Sequence, residues 1–210
     1  MLEGLLSAVR NAVAPARCIG CNCISRSVFC EACGASPTSP LYDELEGVPL
    51  VDAGAYEGAL ANGIRRFKYG SQPALARPLA SLLVPAAERM NLPKSVFWVP
   101  VPLHYARLVE RGFNQAALLG AVLARATRTR FAPRALERRR ETMQQAQLKR
   151  SLLLDNMSGA FGVRGTIRGE VLLIDDVVTT GATAKACMLA LREKGVKVRA
   201  VFTLARTHPL

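Results

Sequence analysis

The stretch VLLIDDVVTTGAT, from Val171 to Thr183, decides the fold of this chain. Its first four residues are apolar and are typical of a strand buried inside a parallel sheet. Two adjacent carboxylates, Asp175 and Asp176, stand at the carboxyl end of that strand. The small, hydroxyl-rich residues that follow predict a turn that leads into a helix, from about Ala182 to Lys194. The stretch therefore predicts an α/β sheet with polar groups where one strand ends.

The carboxyl ends of the strands are where open α/β sheets bind their ligands. A helix N-terminus that is reached through small residues offers free N–H groups and a positive dipole end, which suit a phosphate. Carboxylates beside that phosphate suit sugar hydroxyls, or a magnesium ion that the phosphates also bind. The predicted ligand is a phosphorylated sugar. The alternative is a buried strand that ends in acidic turn residues, and the order of strand, acidic pair and small turn argues against it.

Strands and helices alternate along the rest of the chain, which favours a doubly wound parallel sheet. The other predicted strands cover residues 51–56, 95–101 and 196–204, and the other predicted helices cover 60–69, 75–90 and 112–127. The turn-rich segment GASPTSP, at 34–40, is predicted to be a linker. We therefore expect two units, one at 1–40 and one at 41–210.

Five cysteines lie near the start of the chain, and four of them form two CxxC pairs. Cys18 and Cys21 form the first pair, Cys30 and Cys33 the second, and eight residues separate the pairs. Structural zinc prefers four thiolates, and each CxxC turn directs two sulfurs at one point. Two disulfides are the alternative, but the start MLEGLLSAVR has Glu3 early, and it has neither the basic start nor the long apolar core of a signal peptide. Zinc is favoured, with Cys23 as an alternative ligand to Cys21.

The chain is strongly basic. It has 28 Lys and Arg residues against 16 Asp and Glu residues, a formal charge of +12, and 22 of the basic residues are arginine. Arginine stays charged and binds phosphates through two hydrogen bonds, so the excess predicts a polyanionic partner such as nucleic acid or pyrophosphate. A coding bias toward arginine is the alternative. Aromatic residues make up 6% of the chain, which does not favour an extended base-stacking platform.

No apolar run approaches the roughly 18 residues that a bilayer span needs, so an integral membrane protein is excluded. Near the start, apolar residues repeat at helical spacing and predict a short amphipathic helix, made of Leu2, Leu5, Leu6, Val9 and Val13. Because Arg10 is its only cation, packing on the cysteine module is favoured over binding to a membrane surface. The expected location is the cytoplasm, and attachment to the inner face of the membrane is the alternative.

Further motifs point to a known family. They are FKYG at 67–70, VPVPLHxxRxxxRGFNQ at 99–115, TxxQxxL at 142–148 and NxxGAF at 156–161. Together with the cysteine pairs and DDVVTTGAT, and in this order, they resemble the ComF family of competence-associated, phosphoribosyltransferase-like proteins, from Cys18 to the C-terminus. The opening stretch is similar to the phosphoribosyl pyrophosphate (PRPP) motif of type I phosphoribosyltransferases. The resemblance implies a type I phosphoribosyltransferase-like α/β fold, a doubly wound parallel sheet, with an N-terminal four-cysteine zinc module.

The resemblance also implies roles for individual residues. Asp175 and Asp176 would contact the ribose hydroxyls, and Mg²⁺ would accompany PRPP. The 5′-phosphate would lie in a loop made of Val178, Thr179, Thr180, Gly181, Ala182 and Thr183. The pyrophosphate would lie at 102–107, and a mobile loop within 138–150 would close over the ligand. The candidates for stabilising the charge of the leaving pyrophosphate are Arg107 and Arg111, followed by Arg139 and Arg140.

Three residues near these motifs have two interpretations each. Lys68 and Tyr69, in FKYG, are equally consistent with a structural and a functional role. His104 follows a predicted strand near the expected pyrophosphate, where a lone histidine is more often a structural hydrogen-bonding residue than a catalytic one.

Two hypotheses about function follow from the resemblance. In the first, the chain is a Mg²⁺-dependent glycosyltransferase that transfers phosphoribose from PRPP to an unidentified acceptor and releases pyrophosphate. In the second, it is a non-catalytic accessory factor of DNA uptake in natural competence, which binds single-stranded DNA or a protein of the competence machinery and uses the PRPP fold as a ligand-sensing scaffold. A sugar-phosphate enzyme unrelated to DNA is the least favoured alternative. No sequence feature identifies an acceptor.

Overall fold

The computed structural model describes residues 16–34, 41–139 and 159–207. Several sequence predictions fall outside these ranges. They are the amphipathic helix near the start, most of the linker before residue 41, Arg140, the motif at 142–148, and most of the predicted closing loop.

A six-stranded sheet lies at the centre of the described chain. Its strands are β1 (Leu41–Leu45), β2 (Val48–Asp52), β3 (Phe97–Pro100), β4 (Arg130–Phe131), β7 (Val171–Val178) and β8 (Val198–Arg206). They are arranged in the order β1-β2-β8-β7-β3-β4. All neighbouring strands are parallel except β1 and β2, which form an antiparallel hairpin. Two further strands, β5 (Leu136–Arg138) and β6 (Phe161–Val163), form a separate antiparallel pair.

Helices cover both faces of this sheet. They are α1 (Gly58–Tyr69), α2 (Ala76–Ser81), α3 (Val84–Arg89), α4 (Tyr105–Arg111), α5 (Gln115–Thr127) and α6 (Ala182–Glu193). Leu172 and Ile174 of β7 lie in one buried cluster with residues of α1, α2 and α5. Leu173, between them, lies in a second cluster with residues of α6. Because successive side chains of a strand point to opposite faces, these clusters are the two sides of the sheet. The predicted doubly wound α/β class is confirmed.

Three sequence predictions about elements need correction. The helix expected at 75–90 is a 3₁₀ turn followed by the short helices α2 and α3, and Pro85, which has no N–H to donate, lies in the first turn of α3. The strand expected at 51–56 lies at 48–52. The partner of that strand, β1, was missed; the turn between them uses Glu46 and Gly47, which both have positive φ angles, as tight hairpin turns require.

The acidic pair lies inside β7 rather than after it. The strand continues to Val178, and Asp175 is paired with Thr203 of the neighbouring strand. This longer pairing fixes the backbone of both carboxylates, so a regular element positions them instead of a loop.

The cysteine-containing segment at 16–34 packs directly on the main sheet domain. Ile19 is fully buried in the same apolar cluster as Ile64 and Phe67 of α1. The division into units at residue 40 stays a prediction. Within the described ranges, no helix has the length and hydropathy that crossing a bilayer requires.

Candidate functional site

A cavity of about 830 Å³ opens at the carboxyl ends of β3 and β7. One wall is formed by the end of β7 and the first turn of α6, and the opposite wall by α4 and the start of α5. The predicted site residues on its walls are Asp175, Asp176, Val178, Thr179, Gly181, Ala182, Thr183, Arg107, Arg111 and His104. The structure therefore brings together segments that are more than 60 residues apart in the sequence.

Among the described residues, two of the candidates for the phosphate loop and for stabilising the leaving pyrophosphate are not on the cavity wall. Thr180 is exposed, and its hydroxyl accepts a hydrogen bond from the N–H of Ala182 at 3.4 Å. Arg139 follows β5, and its Nε donates to Oε1 of Glu137 at 2.9 Å, with more than half of its side chain exposed. The structure does not place Arg139 near the acidic pair.

The acidic pair is tightly held by its neighbours. The N–H of Asp176 donates to Oδ1 of Asp175 at 2.8 Å. The ammonium group of Lys68, from the last turn of α1, lies 2.9 Å from Oδ1 of Asp176, and both side chains are largely buried. Burial, and next to it the negative charge of Asp176, raises the pKa of Asp175 to about 7. One carboxyl of the pair can therefore gain or lose a proton near neutral pH.

The turn before α6 joins a left-handed glycine to a helix N-terminus. Gly181 has a φ of 74°, in the left-handed region, and a Cβ at this position would lie 2.7 Å from Cδ1 of Leu45 in β1. Glycine therefore satisfies both the backbone conformation and the close approach of the hairpin. Ala182 begins a twelve-residue helix whose first N–H groups have no acceptor within the helix, and this end lines the cavity.

The opposite wall carries a buried arginine. Arg111 is only 8% exposed. Its Nη1 donates to Oε1 of Gln115 at 3.1 Å, and its guanidinium lies 5.0 Å from the centre of the Tyr69 ring. Among the described residues, neither Nε of Arg111 nor Nε2 of Gln115 has a hydrogen-bond acceptor. Buried donors without acceptors are costly, so these two favour a ligand with acceptor oxygens at this wall.

A role for Gln115 was not predicted from the sequence, and Lys68 was predicted to have either a structural or a functional role. Gln115 is the last residue of the motif RGFNQ, immediately after Asn114, whose side chain caps α5 by accepting from the N–H of Ala117. A glutamine in the first turn of a helix near a predicted pyrophosphate site was the available signal. Lys68 had no such signal, because only the fold brings α1 to the end of β7.

His104 has the structural role that sequence reasoning favoured. Its Nδ1 accepts a hydrogen bond from the N–H of Ala106 at 3.3 Å, which caps the N-terminus of α4. Arg107, in the same helix, is exposed at the mouth of the cavity.

The two CxxC pairs meet in a second site. The sulfurs of Cys18, Cys21, Cys30 and Cys33 all lie within 4.8 Å of one another, and this cluster could hold a metal ion such as zinc. Burial opposes ionisation of Cys18, but hydrogen bonds from the N–H groups of Cys21, Cys30 and Gly20 lower its pKa to about 6. Cys23 is exposed and is not a member of the four-sulfur group.

Comparison with known proteins identifies the family. No protein-family model matches the chain. Competence protein F of Haemophilus influenzae is 31% identical to it over 208 residues, which covers 90% of each chain. The chain belongs to the ComF family. ComF-family relatives also include the DNA utilization protein YhgH of Escherichia coli K12, 33% identical over 75% of this chain and 72% of that protein. Competence protein ComFC of Streptococcus pneumoniae is 33% identical over 72% of this chain and 65% of that protein.

Solved structures similar to this ComF-family chain include phosphoribosyltransferases. Adenine phosphoribosyltransferase from Trypanosoma brucei, in complex with AMP, pyrophosphate and ribose-5-phosphate, has 13% identity and a TM-score of 0.45, over 80% of this chain and 86% of that chain. Glutamine PRPP amidotransferase from Bacillus subtilis has 16% identity and a TM-score of 0.42, over 67% of this chain and 30% of that chain.

Proposed function

We propose that this ComF-family chain binds PRPP in the cavity at the end of β7. The observation that carries the proposal is that Asp175 and Asp176 line one cavity together with the N-terminus of α6 and the buried side chain of Arg111. In this assignment the acidic pair binds the ribose hydroxyls. The loop at 178–183 holds the 5′-phosphate, and the pyrophosphate lies along 102–111, where Arg107 and Arg111 line the cavity.

Magnesium fits the same end of the cavity. Carboxylate oxygens are the ligands that Mg²⁺ prefers, and Asp175 and Asp176 supply them beside the proposed phosphates. When bound, Mg²⁺ would neutralise part of the charge on the pyrophosphate. Lys68 already neutralises part of the charge of Asp176 through its ion pair.

The site also supports transfer of phosphoribose, which we propose as its reaction. Breaking the bond between C1 and the pyrophosphate oxygen moves negative charge onto the leaving group. Arg111 is held in place by Gln115 and Tyr69, so it can meet that charge without reorganising. Arg107, which is exposed, would add a second positive charge at the mouth of the cavity.

We infer that the chain acts in DNA uptake, in the cytoplasm, and that zinc holds its cysteine cluster. The names of its relatives, competence protein and DNA utilization protein, support the process. The formal charge of +12 supports single-stranded DNA, or a DNA-bound protein of the competence machinery, as a partner. The second candidate function is a non-catalytic accessory factor that senses PRPP, and the same charge and names support it.

Calorimetry with PRPP and Mg²⁺ tests the binding site. Asp175→Asn combined with Asp176→Asn should weaken binding about 100-fold or more, because hydrogen bonds to charged groups contribute about 1.5–3 kcal/mol each. Glu88→Gln combined with Glu193→Gln changes the charge equally at two exposed helical positions and should leave binding unchanged. If the acidic-pair variant and the native chain bind PRPP with equal affinity, the proposed binding site is wrong.

Release of pyrophosphate separates the enzyme from the sensor. The native chain is incubated with PRPP, Mg²⁺ and a panel of bases, amines and oligonucleotides, and pyrophosphate is measured over time. Release that depends on one acceptor supports the transferase. Binding of PRPP without release of pyrophosphate in the presence of any acceptor supports the accessory factor.

A further inference from the structure

Helix α1 runs from the cysteine cluster to the ligand cavity. We use the name cysteine knuckle for residues 18–33, which contain the four clustered sulfurs. In the last turn of α1, Arg66 contacts the cysteine knuckle, whereas Lys68 and Tyr69 contact residues of the cavity. One turn of helix therefore touches both sites.

Arg66 makes a dense set of hydrogen bonds to the knuckle. Its Nη1 donates to the carbonyl oxygens of Ile19 at 3.0 Å and Cys18 at 3.3 Å. Its Nη2 donates to Oδ1 of Asn22 at 2.6 Å and to Oε1 of Gln72, which follows α1, at 2.7 Å. Two of these acceptors belong to the first CxxC turn and a third directly follows it, so one guanidinium fixes that turn against the helix.

The packing between the knuckle and α1 leaves little room for movement. A Cβ on Gly63 of α1 would lie 3.1 Å from the carbonyl oxygen of Ile19. A Cβ on Gly20 of the knuckle would lie 2.8 Å from Cβ of Ala59. Because glycines on both sides permit this approach, a shift of the knuckle must be matched by a shift of α1.

The same turn of α1 completes the cavity. Lys68 holds Asp176 through its 2.9 Å ion pair, and Tyr69 lies under the guanidinium of Arg111. A displacement of α1 would therefore change one ribose-binding carboxylate and one pyrophosphate-binding arginine together.

Coupling between two sites requires an element with two states, and the cysteine knuckle offers a metal-bound state and a metal-free state. Four thiol groups within 4.8 Å fit a zinc ion, and small zinc-binding modules fold when the metal binds and loosen when it leaves. We propose that Arg66 is a positioning residue that transmits the metal state of the cysteine knuckle to the ligand cavity, so that zinc and PRPP each raise the affinity for the other. The inference rests on the proposed binding of PRPP.

Linked affinities give a direct test. Zinc affinity of the full chain is measured by competition with a zinc-selective chromophoric chelator, with and without PRPP in excess Mg²⁺. PRPP affinity is measured by calorimetry on zinc-loaded and zinc-depleted chain. We expect each ligand to strengthen the other about tenfold, and by the same factor, because coupling between two sites is reciprocal.

Two variants locate the coupling. Arg66→Ala should weaken PRPP binding to the zinc-saturated chain several-fold, and should bring the effect of PRPP on zinc affinity close to none. Arg65→Ala is the matched control: it removes the same charge from the neighbouring, exposed residue, which bonds to Asn62, and should leave both affinities unchanged. Gly63→Ala improves helix propensity while it presses on Ile19, so a weaker PRPP affinity in this variant cannot come from a weakened helix.

The outcomes are distinguishable. If PRPP binds the native chain but leaves zinc affinity unchanged, the coupling is wrong and the proposed function stands. If zinc-saturated Arg66→Ala binds PRPP like Arg65→Ala, and Gly63→Ala also binds normally, Arg66 does not position the cavity. If PRPP does not bind the zinc-loaded native chain, the proposed function and the coupling both fail.

Discussion

The ionised side chain of Asp175 lowers the free energy of unfolding, because this side chain is buried at the cavity wall. Burial raises its pKa to about 7 from an ordinary value of 3.8, and the charge of Asp176 adds to this rise. The folded chain therefore holds this proton more tightly than the unfolded chain does. Since the unfolded state loses the proton first, the free energy of unfolding falls as the pH rises from about 4 to about 7, and stays lower above.

Asp175→Asn should therefore stabilise the fold at pH 8. We expect the free energy of unfolding to rise by about 1–3 kcal/mol, since a tenfold change in proton affinity corresponds to about 1.4 kcal/mol. The gain should shrink as the pH falls toward 4 and below, because the carboxyl is then protonated in the folded state and increasingly protonated in the unfolded state. Urea unfolding at pH 4.5 and pH 8 measures the difference, and an equal effect at both pH values would contradict the shifted pKa.

Lys68→Met should move the pH dependence of ligand binding. The positive charge of Lys68 lowers the pKa of Asp175, against the larger effect of burial. Without it, the pKa of Asp175 should rise further, and PRPP affinity at pH 7 should fall with it. Calorimetry between pH 6 and 9 shows the change. Lys197→Met, which breaks an exposed ion pair with Glu170, should leave the pH profile as it is.

At the level of elements, the turn between β7 and α6 depends on one glycine. Gly181→Ala should destabilise the fold by more than Gly195→Ala. Both positions have left-handed φ angles, which cost an alanine about 1–2 kcal/mol, but only the Cβ at residue 181 would meet Leu45. Urea unfolding of the two variants isolates the contact with the hairpin, and PRPP affinity should fall in Gly181→Ala alone. Equal destabilisation would show that Leu45 moves away freely.

The cysteine knuckle is a second element with a testable role. If zinc holds its four sulfurs, a strong chelator should unfold residues 16–34 while the sheet domain keeps its helical signal. Hydrogen exchange should show loss of protection at the Ile19 N–H, which donates to the carbonyl of Val28 at 3.0 Å, before loss at β7. Native protein without zinc in elemental analysis would contradict the assignment.

The elements that sequence analysis predicted best are those with strong periodicity. The apolar run before Asp175 correctly predicted strand β7. Helix α6 ends at Glu193, one residue before its predicted end at Lys194. Prediction failed where a turn residue or a proline decided the outcome: Glu46 and Gly47 create the missed hairpin, and Pro85 divides the helix expected at 75–90. The spacing of apolar residues can be read directly from the local sequence. The effect of a single turn residue depends on contacts with residues that are distant in the sequence.

The candidate site was predictable where one motif contains it. Where the topology assembles it, Gln115 was missed and Lys68 was predicted only with two interpretations. The acidic pair and the phosphate loop are contiguous in sequence. Lys68 and Gln115 are distant from both, and they reach the cavity because β3 lies beside β7 in the sheet and α1 ends next to it. Arg139 has the chemistry to bind a phosphate, but it follows β5, and its Nε donates to Oε1 of Glu137.

For the whole molecule, the excess of positive charge should control DNA binding. Affinity for a single-stranded oligonucleotide should fall about 10- to 100-fold between 50 mM and 200 mM salt, because each neutralised phosphate releases counterions. Fluorescence anisotropy across that range measures the slope. PRPP binding to the cavity should change less over the same range, because a small ligand meets fewer positive charges than an oligonucleotide does, and this provides the internal comparison. An affinity for DNA that is independent of salt would contradict an electrostatic basis for the binding.

The position of β8 has a consequence for biosynthesis. It is the last of the described strands to be synthesised, yet it lies between β2 and β7. Until residues 198–206 emerge, the growing polypeptide has an unpaired backbone edge on β2 and another on β7. Such edges are templates for aggregation. A stop codon shortly before residue 198 would therefore split the sheet in two rather than trim it, and would leave a product for chaperones and proteases to clear.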